Sequence, residues 1–265
     1  MQADLKAIQA TGGFGASVMT AVTAQNTLGV TDIEELPPSI VTAQFDAVFA
    51  DISVAACKSG MLANKAIIRA VADSLRRYKP RFYVLDPVMV SSSGHVLLQE
   101  SAIEALKREL FPLATVVTPN VPEAERLTGR TIRSARDAEE AGRALLDYGP
   151  GAVLVKGGHL EQDRATDILV TWNKTQSFPG DYIEGRRTHG AGCAYASAIA
   201  TLLGRGKPLA EAIRIAKSYV TEAIREGPAI GGGGQPLDHL FYMRHTDPAV
   251  WQERLSLKES RNESL

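Results

Sequence analysis

At 265 residues and 45% hydrophobic, the chain is long enough to bury a full core, and its length suits one main α/β domain. A net charge of -1 and a pI near 6.5 leave no electrostatic footprint for nucleic acid or an anionic membrane surface, which points to small-molecule partners. Cys57 and Cys193 are the only cysteines, and no Cys or His pair has metal-ligand spacing, so nothing reads as a structural zinc site and a reducing compartment suits the thiols.

The first residues, Met1 to Lys6, carry no apolar signal core, and no run approaches the roughly 20 apolar residues of a membrane helix, so a cytoplasmic location with no membrane partner is expected. Residues 2–11 read as a helix with Leu5 and Ile8 on one face, ended by Gly12-Gly13. The apolar stretch from Phe14 to Ala24 reads as a buried strand, closed by Gln25-Asn26-Thr27 where a parallel strand presents polar groups to a ligand. A helix over 40–49 sets Val41, Phe45 and Val48 on one face. Residues 55–62 form a short strand breaking at Gly60, with Cys57 as a small core residue.

A helix over 65–78 leads into a buried strand over 82–89, where Asp86 is either a turn former or a functional acid. Ser91 to His95 is a flexible loop with His95 facing solvent. After a helix at 101–110 and a strand at 114–118, Asn120 can cap a helix that Glu123 enters at its third position, and the same pair can equally face Mg²⁺ through water. A helix over 135–147 precedes a strand, 152–155, that delivers Lys156 into Gly157-Gly158. That lysine either snorkels to the surface or meets a phosphate, and the two glycines favour phosphate. Residues 167–171 and 176–183 read as a hairpin around Asn173-Lys174.

From Arg186 to Ala200 a glycine-rich turn runs into a small-residue helix. Gly190 and Gly192 let consecutive N–H groups converge at the positive end of that helix, an anion hole. Cys193 lies at the same end, with Arg186 and Arg187 adding positive potential. Its thiolate is therefore expected to be populated near neutral pH, which makes it a candidate proton acceptor. Residues 209–225 form a core helix, Gly231 to Gly234 a mobile loop, and the residues from about 246 onwards a charged tail. Alternating strands and helices predict an α/β fold, a three-layer α/β/α sandwich with a mainly parallel central sheet.

Seven ordered blocks carry a resemblance: Gln2-Ala3-Asp4-Leu5-Lys6, Thr23-Ala24-Gln25-Asn26-Thr27, Lys58-Ser59-Gly60-Met61-Leu62, Leu85-Asp86-Pro87-Val88-Met89, Thr118-Pro119-Asn120-Val121-Pro122-Glu123-Ala124, Val155-Lys156-Gly157-Gly158-His159 and Thr188-His189-Gly190-Ala191-Gly192-Cys193. Over residues 2 to about 241 the chain resembles the hydroxymethylpyrimidine/phosphomethylpyrimidine kinases of thiamine biosynthesis, in the ribokinase-like superfamily. The resemblance implies an ATP- and Mg²⁺-dependent kinase acting on 4-amino-5-hydroxymethyl-2-methylpyrimidine and then on its monophosphate. A pyridoxal kinase, or an impaired homologue that only binds ligand, is the alternative.

By the same resemblance Gln25 hydrogen-bonds the aminopyrimidine, with Asp4, Met61 and Val88 near that pocket. Asn120 and Glu123 match a pattern that organises phosphates and Mg²⁺, Glu123 on the metal side. Lys156 matches a nucleotide-phosphate lysine, with Asp86 and Thr188 in the phosphate set, and Cys193 matches the catalytic position, flanked by the backbone donors of Gly190, Ala191 and Gly192. A homodimer is expected. Relatives begin with a strand and a Gly-rich loop ahead of the Gln2 block, so the kinase domain, residues 1–245, is expected to be N-terminally incomplete. The absent strand would leave a gap beside the strand ending at Asp86 or the one near Cys57, with 246–265 as the charged tail.

Overall fold

The structure, a computed structural model, describes residues 1–91, 94–158, 165–183 and 188–244. Three of its helices begin where a side chain takes up the first free amides. Lys65–Tyr78 (α3) starts at Asn64, whose side chain accepts from the amides of Ala66 and Ile67, and buries Ile67, Ile68, Val71, Ala72 and Leu75 on one face. Val121–Thr128 (α5) and Ala135–Leu146 (α6) each open with a capping box, Asn120 with Glu123 and Ser134 with Asp137. The remaining helices are Gln2–Ala10 (α1), Pro38–Asp51 (α2), Ala191–Gly204 (α7), Leu209–Arg225 (α8) and the short Phe241–Arg244 (α9). Over residues 100–113 the helix is irregular. Only Ile103–Ala105 (α4) is α-helical, Leu106–Leu110 is wound as a π-helix, and Pro112 sits in a closing 3₁₀ turn.

Six strands form the central sheet: Ala56–Ser59 (β3), Phe82–Leu85 (β4), Val116–Val117 (β5), Ala152–Val155 (β6), Asp167–Thr171 (β7) and Thr175–Phe178 (β8), ordered β3-β4-β5-β6-β7-β8. The first four are parallel, and β7 and β8 are antiparallel to their neighbours. Strand residues alternate between two cores. Leu85, Val117, Val153 and Val155 join α2, α3, α5 and α6 in one; Val84, Val116 and Leu154 join α1, α7 and α8 in the other. The expected three-layer α/β/α sandwich is the observed fold.

Three expectations fail. The stretch 14–24 is not a buried strand: Phe14 is 85% exposed, and only Ala21–Gln25 (β1) is extended, pairing antiparallel with Val30–Glu35 (β2) in a hairpin separate from the main sheet. Its small residues explain this. Gly13 and Gly15 let the segment lie directly on α1, where a Cβ at Gly15 would come within 2.9 Å of Leu5.

Nor is there a gap beside the strand ending at Asp86: β3 pairs directly with β4, Ala56 opposite Phe82 and Ser59 opposite Leu85, and β4 pairs directly with β5, so ladder groups between them are satisfied. β3, the strand near Cys57, is the end strand of the described sheet and pairs on one side only. The third failure is the glycine loop 231–234, which is packed rather than free: the Gly234 amide donates to the Thr27 carbonyl at 2.7 Å, and a Cβ at Gly233 would lie 2.0 Å from that same oxygen. Ser92, Ser93, Arg186, Arg187 and the tail 246–265 lie outside the described residues. Among the described residues no helix is long and apolar enough to cross a membrane.

Candidate active site

Four adjacent parallel strands end on one side of the sheet, and each delivers a polar group there. β3 carries Lys58, β4 is followed by Asp86, β5 by Thr118 and β6 by Lys156. The carboxyl ends of parallel strands are where α/β sheets bind ligands. Pro87 stops β4, so the chain turns away and leaves Asp86 1% exposed at the strand end. Its Oδ1 accepts from Lys156 Nζ at 2.7 Å and from the Thr118 hydroxyl at 3.2 Å, while Lys58 Nζ stands 4.0 Å from Oδ2. Lys58 in turn donates to Asp4 Oδ1 at 2.8 Å, where the Ser197 hydroxyl of α7 also donates at 2.7 Å.

The N-terminus of α7 caps this cluster. Gly190 holds φ at 81°, a conformation that favours glycine, and the Ala194 amide makes the first helical bond to its carbonyl. The amides of Ala191, Gly192 and Cys193 precede that bond and are the helix's open donors. A Cβ at Gly192 would lie 3.3 Å from Lys156 Nζ and 3.9 Å from Asp86 Oδ2, so the glycine brings the helix end onto the ion pair. Just before it, Thr188–His189 (β9) pairs with Gln235–Pro236 (β10), and His189 Nε2 bonds the Thr27 carbonyl at 3.0 Å, tying this loop to the hairpin.

The electrostatics correct one expectation. Burial pushes the Cys193 thiol up, Asp4 and Asp86 push it further, and Lys58 only partly opposes them, so the group is a thiol near neutral pH and not a populated thiolate. The helix dipole was visible in the sequence; the charge of the two carboxylates that α1 and the sheet bring against the thiol was not. Burial opposes charge on Lys156, yet Asp86 and Glu123 hold it above the ordinary lysine value, and Asp4 and Asp86 do the same for Lys58. Both remain ammonium groups. Glu123, 7% exposed, is pushed by burial up to about 7 against the pull of Lys156.

Asn120 and Glu123 form the capping box in full: the Asn120 amide donates to Glu123 Oε2 and the Glu123 amide to Asn120 Oδ1, both at 2.8 Å. The box leaves the carboxylate beside Lys156 and Asp86. Among the described residues no three metal-binding side chains cluster. Two buried carboxylates flanking a lysine suit Mg²⁺, which takes one or two carboxylates together with phosphate oxygens rather than a full protein cage. Asp86 and Glu123 are the residues that would hold it.

Asp4, Asp86, Asn120, Glu123, Lys156, Cys193 and the Gly190–Gly192 turn are thus brought together, with Thr188 on the adjoining strand. Of the residues expected near the substrate, Met61 accepts the Thr20 hydroxyl at its carbonyl and lines a cleft of about 200 Å³ with Ile33, Glu35 and Gln99, and Val88 lies against Gly60. Gln25 does not end a buried parallel strand. It is exposed on the hairpin opposite Val30, at a break in register, and no described hydrogen bond joins its side chain to the charged cluster. Lys58, Thr118 and Ser197 were not singled out from sequence. For Lys58 a signal existed: like Lys156, it leaves a strand into a glycine turn.

Residues 1–238 match the sequence profile of phosphomethylpyrimidine kinase. The chain is 48% identical to the thiamine biosynthesis bifunctional protein ThiED of Geobacter sulfurreducens over 91% of its own length and 49% of that protein. It is also 48% identical to the hydroxymethylpyrimidine/phosphomethylpyrimidine kinase of Rhizobium meliloti, covering 91% of each. Among solved structures it is similar to a phosphomethylpyrimidine kinase from Clostridium difficile 630, with 43% identity, a TM-score of 0.75 and coverage of 84% of this chain and 92% of that one. It is similar too to a Staphylococcus aureus pyridoxal kinase in complex with AMP-PCP and pyridoxal, with 31% identity, a TM-score of 0.82 and coverage of 90% and 87%. The chain belongs to the phosphomethylpyrimidine kinase family, ribokinase-like phosphotransferases that act on hydroxymethylpyrimidine and its phosphate in thiamine biosynthesis.

Proposed function

We propose that the chain moves the γ-phosphoryl group of ATP to the hydroxymethyl oxygen of the aminopyrimidine, and then to the resulting monophosphate, with the α7 N-terminus and the Lys156–Asp86 pair as the phosphate site. The observation that carries this reading is the 3.3 Å approach of a Cβ at Gly192 to Lys156 Nζ: open helix amides and a buried ammonium group face one point. Phosphoryl transfer asks mainly for positioning and charge neutralisation, and both are present there. The amides of Ala191, Gly192 and Cys193 receive the oxygens of the transferred group, and Lys156 faces the nucleotide phosphates with Asn120 and Thr188 alongside. As the hydroxymethyl oxygen bonds to the γ-phosphorus, the bond from that phosphorus to the bridging oxygen breaks and ADP leaves with the oxygen, while the hydroxyl proton passes to Cys193 Sγ in the thiolate form, which Lys58 stabilises.

Mg²⁺, held by Glu123 and Asp86, would neutralise phosphate charge. Gln25, Asp4, Met61 and Val88 orient the ring. The AMP-PCP complex of the similar pyridoxal kinase supports the nucleotide assignment. The kinase domain is taken as residues 1–245 with 246–265 as an appended tail. The proposed location is the cytoplasm, and the proposed partners are these small molecules, without nucleic acid, and a second copy of the chain, supported by the exposed Val22 and Leu28 of the hairpin.

Glu123→Gln tests the metal assignment. The amide oxygen can still accept from Asn120, so the cap survives, while the charge is lost; the Mg²⁺ concentration for half-maximal turnover is expected to rise about 10–100-fold. Stability should behave differently. The folded-state carboxyl titrates near 7, above its unfolded value, so its favourable contribution is complete at low pH and lost as pH rises through 7. The permanently neutral variant should therefore melt no lower than the parent at pH 8. An unchanged Mg²⁺ requirement would return Glu123 to capping alone.

A further inference from the structure

Asp167, the first residue of β7, lies outside the phosphate site and is 3% exposed. Its Oδ1 accepts from the Gly157 amide at 3.0 Å, and its Oδ2 accepts from the Tyr195 hydroxyl at 2.8 Å and from Lys217 Nζ at 2.7 Å. The donors come from three elements. Gly157 follows Lys156 directly, Tyr195 lies two residues beyond Cys193 in α7, and Lys217 is on α8. Gly157 is pressed into this arrangement, since a Cβ there would lie 1.7 Å from the Thr166 carbonyl oxygen and no larger residue could occupy the turn without moving it. Burial and the neighbouring Asp167 hold the Tyr195 phenol far above its ordinary range, so it stays a donor.

One carboxylate therefore joins the lysine-bearing turn to the cysteine-bearing helix end. A buried carboxylate needs its lone pairs satisfied whatever its role; what sets Asp167 apart is where two of its bonds run, to the amide of the turn that follows Lys156 and to the side-chain hydroxyl of an α7 residue two positions beyond Cys193, the two segments proposed to face the same phosphate. We infer that Asp167 is a positioning residue for phosphoryl transfer, setting the distance between the Lys156–Gly157 turn and the first turn of α7. The inference rests on the proposed roles of Lys156 and the α7 amides.

In Asp167→Asn the side-chain oxygen can still accept from Gly157, but the NH₂ group cannot accept from Tyr195 or Lys217. A displacement on the order of 1 Å between catalytic groups costs up to about 100-fold, so kcat is expected to fall about 10–100-fold while KM for the pyrimidine stays within about twofold. Tyr195→Phe leaves the ion pair intact and removes one bond; its kcat is expected to fall about 3–10-fold, and it decides the matter if the Asn variant does not fold. Both are assayed well below their melting temperatures, beside Lys156→Met. A lowered melting temperature with unchanged kcat in either variant would make Asp167 a structural residue and overturn the inference. If Lys156→Met were itself silent, the phosphate-site reading would fail first.

Discussion

Cys193→Ser is expected to keep the fold and nucleotide binding while lowering turnover by about 10²–10⁴, the range for losing a general base. The substitution is nearly isosteric at a partly exposed position, and the backbone donors at the α7 N-terminus are untouched. What changes is the group proposed to receive the hydroxyl proton. Because burial and the carboxylates of Asp4 and Asp86 raise the thiol, the basic form is a minority at neutral pH and grows as pH increases. In the parent, kcat/KM should therefore climb through the alkaline range instead of levelling near pH 7. The Ser variant should lose that limb. Near-parental turnover in the variant, or a parental profile flat from pH 7 to 10, would leave the helix amides as the main catalytic device.

The second large effect is expected from Lys156→Met, which keeps the length and apolar stem of the side chain but removes the ammonium group proposed to face the phosphates. Losing one such donor to developing charge costs about 10²–10³ in kcat. The variant also strips Asp86 of its 2.7 Å partner, and breaking a buried pair from one side costs about 3–5 kcal/mol. The two consequences separate in the double variant Lys156→Met/Asp86→Asn, in which no uncompensated carboxylate remains beside the methionine, read beside Asp86→Asn alone because Asp86 is itself a proposed Mg²⁺ ligand. The double variant's melting temperature should recover most of the loss while its turnover stays well below that of Asp86→Asn. Equal turnover in the double variant and Asp86→Asn would mean that Lys156 serves the fold and not the phosphate.

Much of this was legible before the structure. Asn120 and Glu123 spell a capping box at the spacing the helix needs, and α3 repeats its apolar residues with helical period. Asp86 and Lys156 stand at the ends of strands too apolar to be exposed. The hairpin was misread because Phe14 to Ala24 is apolar in composition but small in volume, and because β2, with three acids among its six residues, has few apolar side chains to announce a strand. Asp167 escaped for a different reason. An acid at a strand start reads as solvated, and its three partners lie 10, 28 and 50 residues away. The protonation state of Cys193 likewise depends on Asp4 and Asp86, which α1 and the sheet bring to it. Local signals named the groups; long-range packing set their state.

Steady-state turnover of the purified chain with Mg·ATP, compared across hydroxymethylpyrimidine, its monophosphate and pyridoxal, tests the phosphotransfer account most directly. ATP-dependent phosphorylation of both pyrimidines is predicted, with kcat/KM exceeding that for pyridoxal by about tenfold or more, since polar groups set for the aminopyrimidine would be left unpaired by the other ring. A preference for pyridoxal, or the absence of turnover while the same ligands raise the melting temperature, would contradict it.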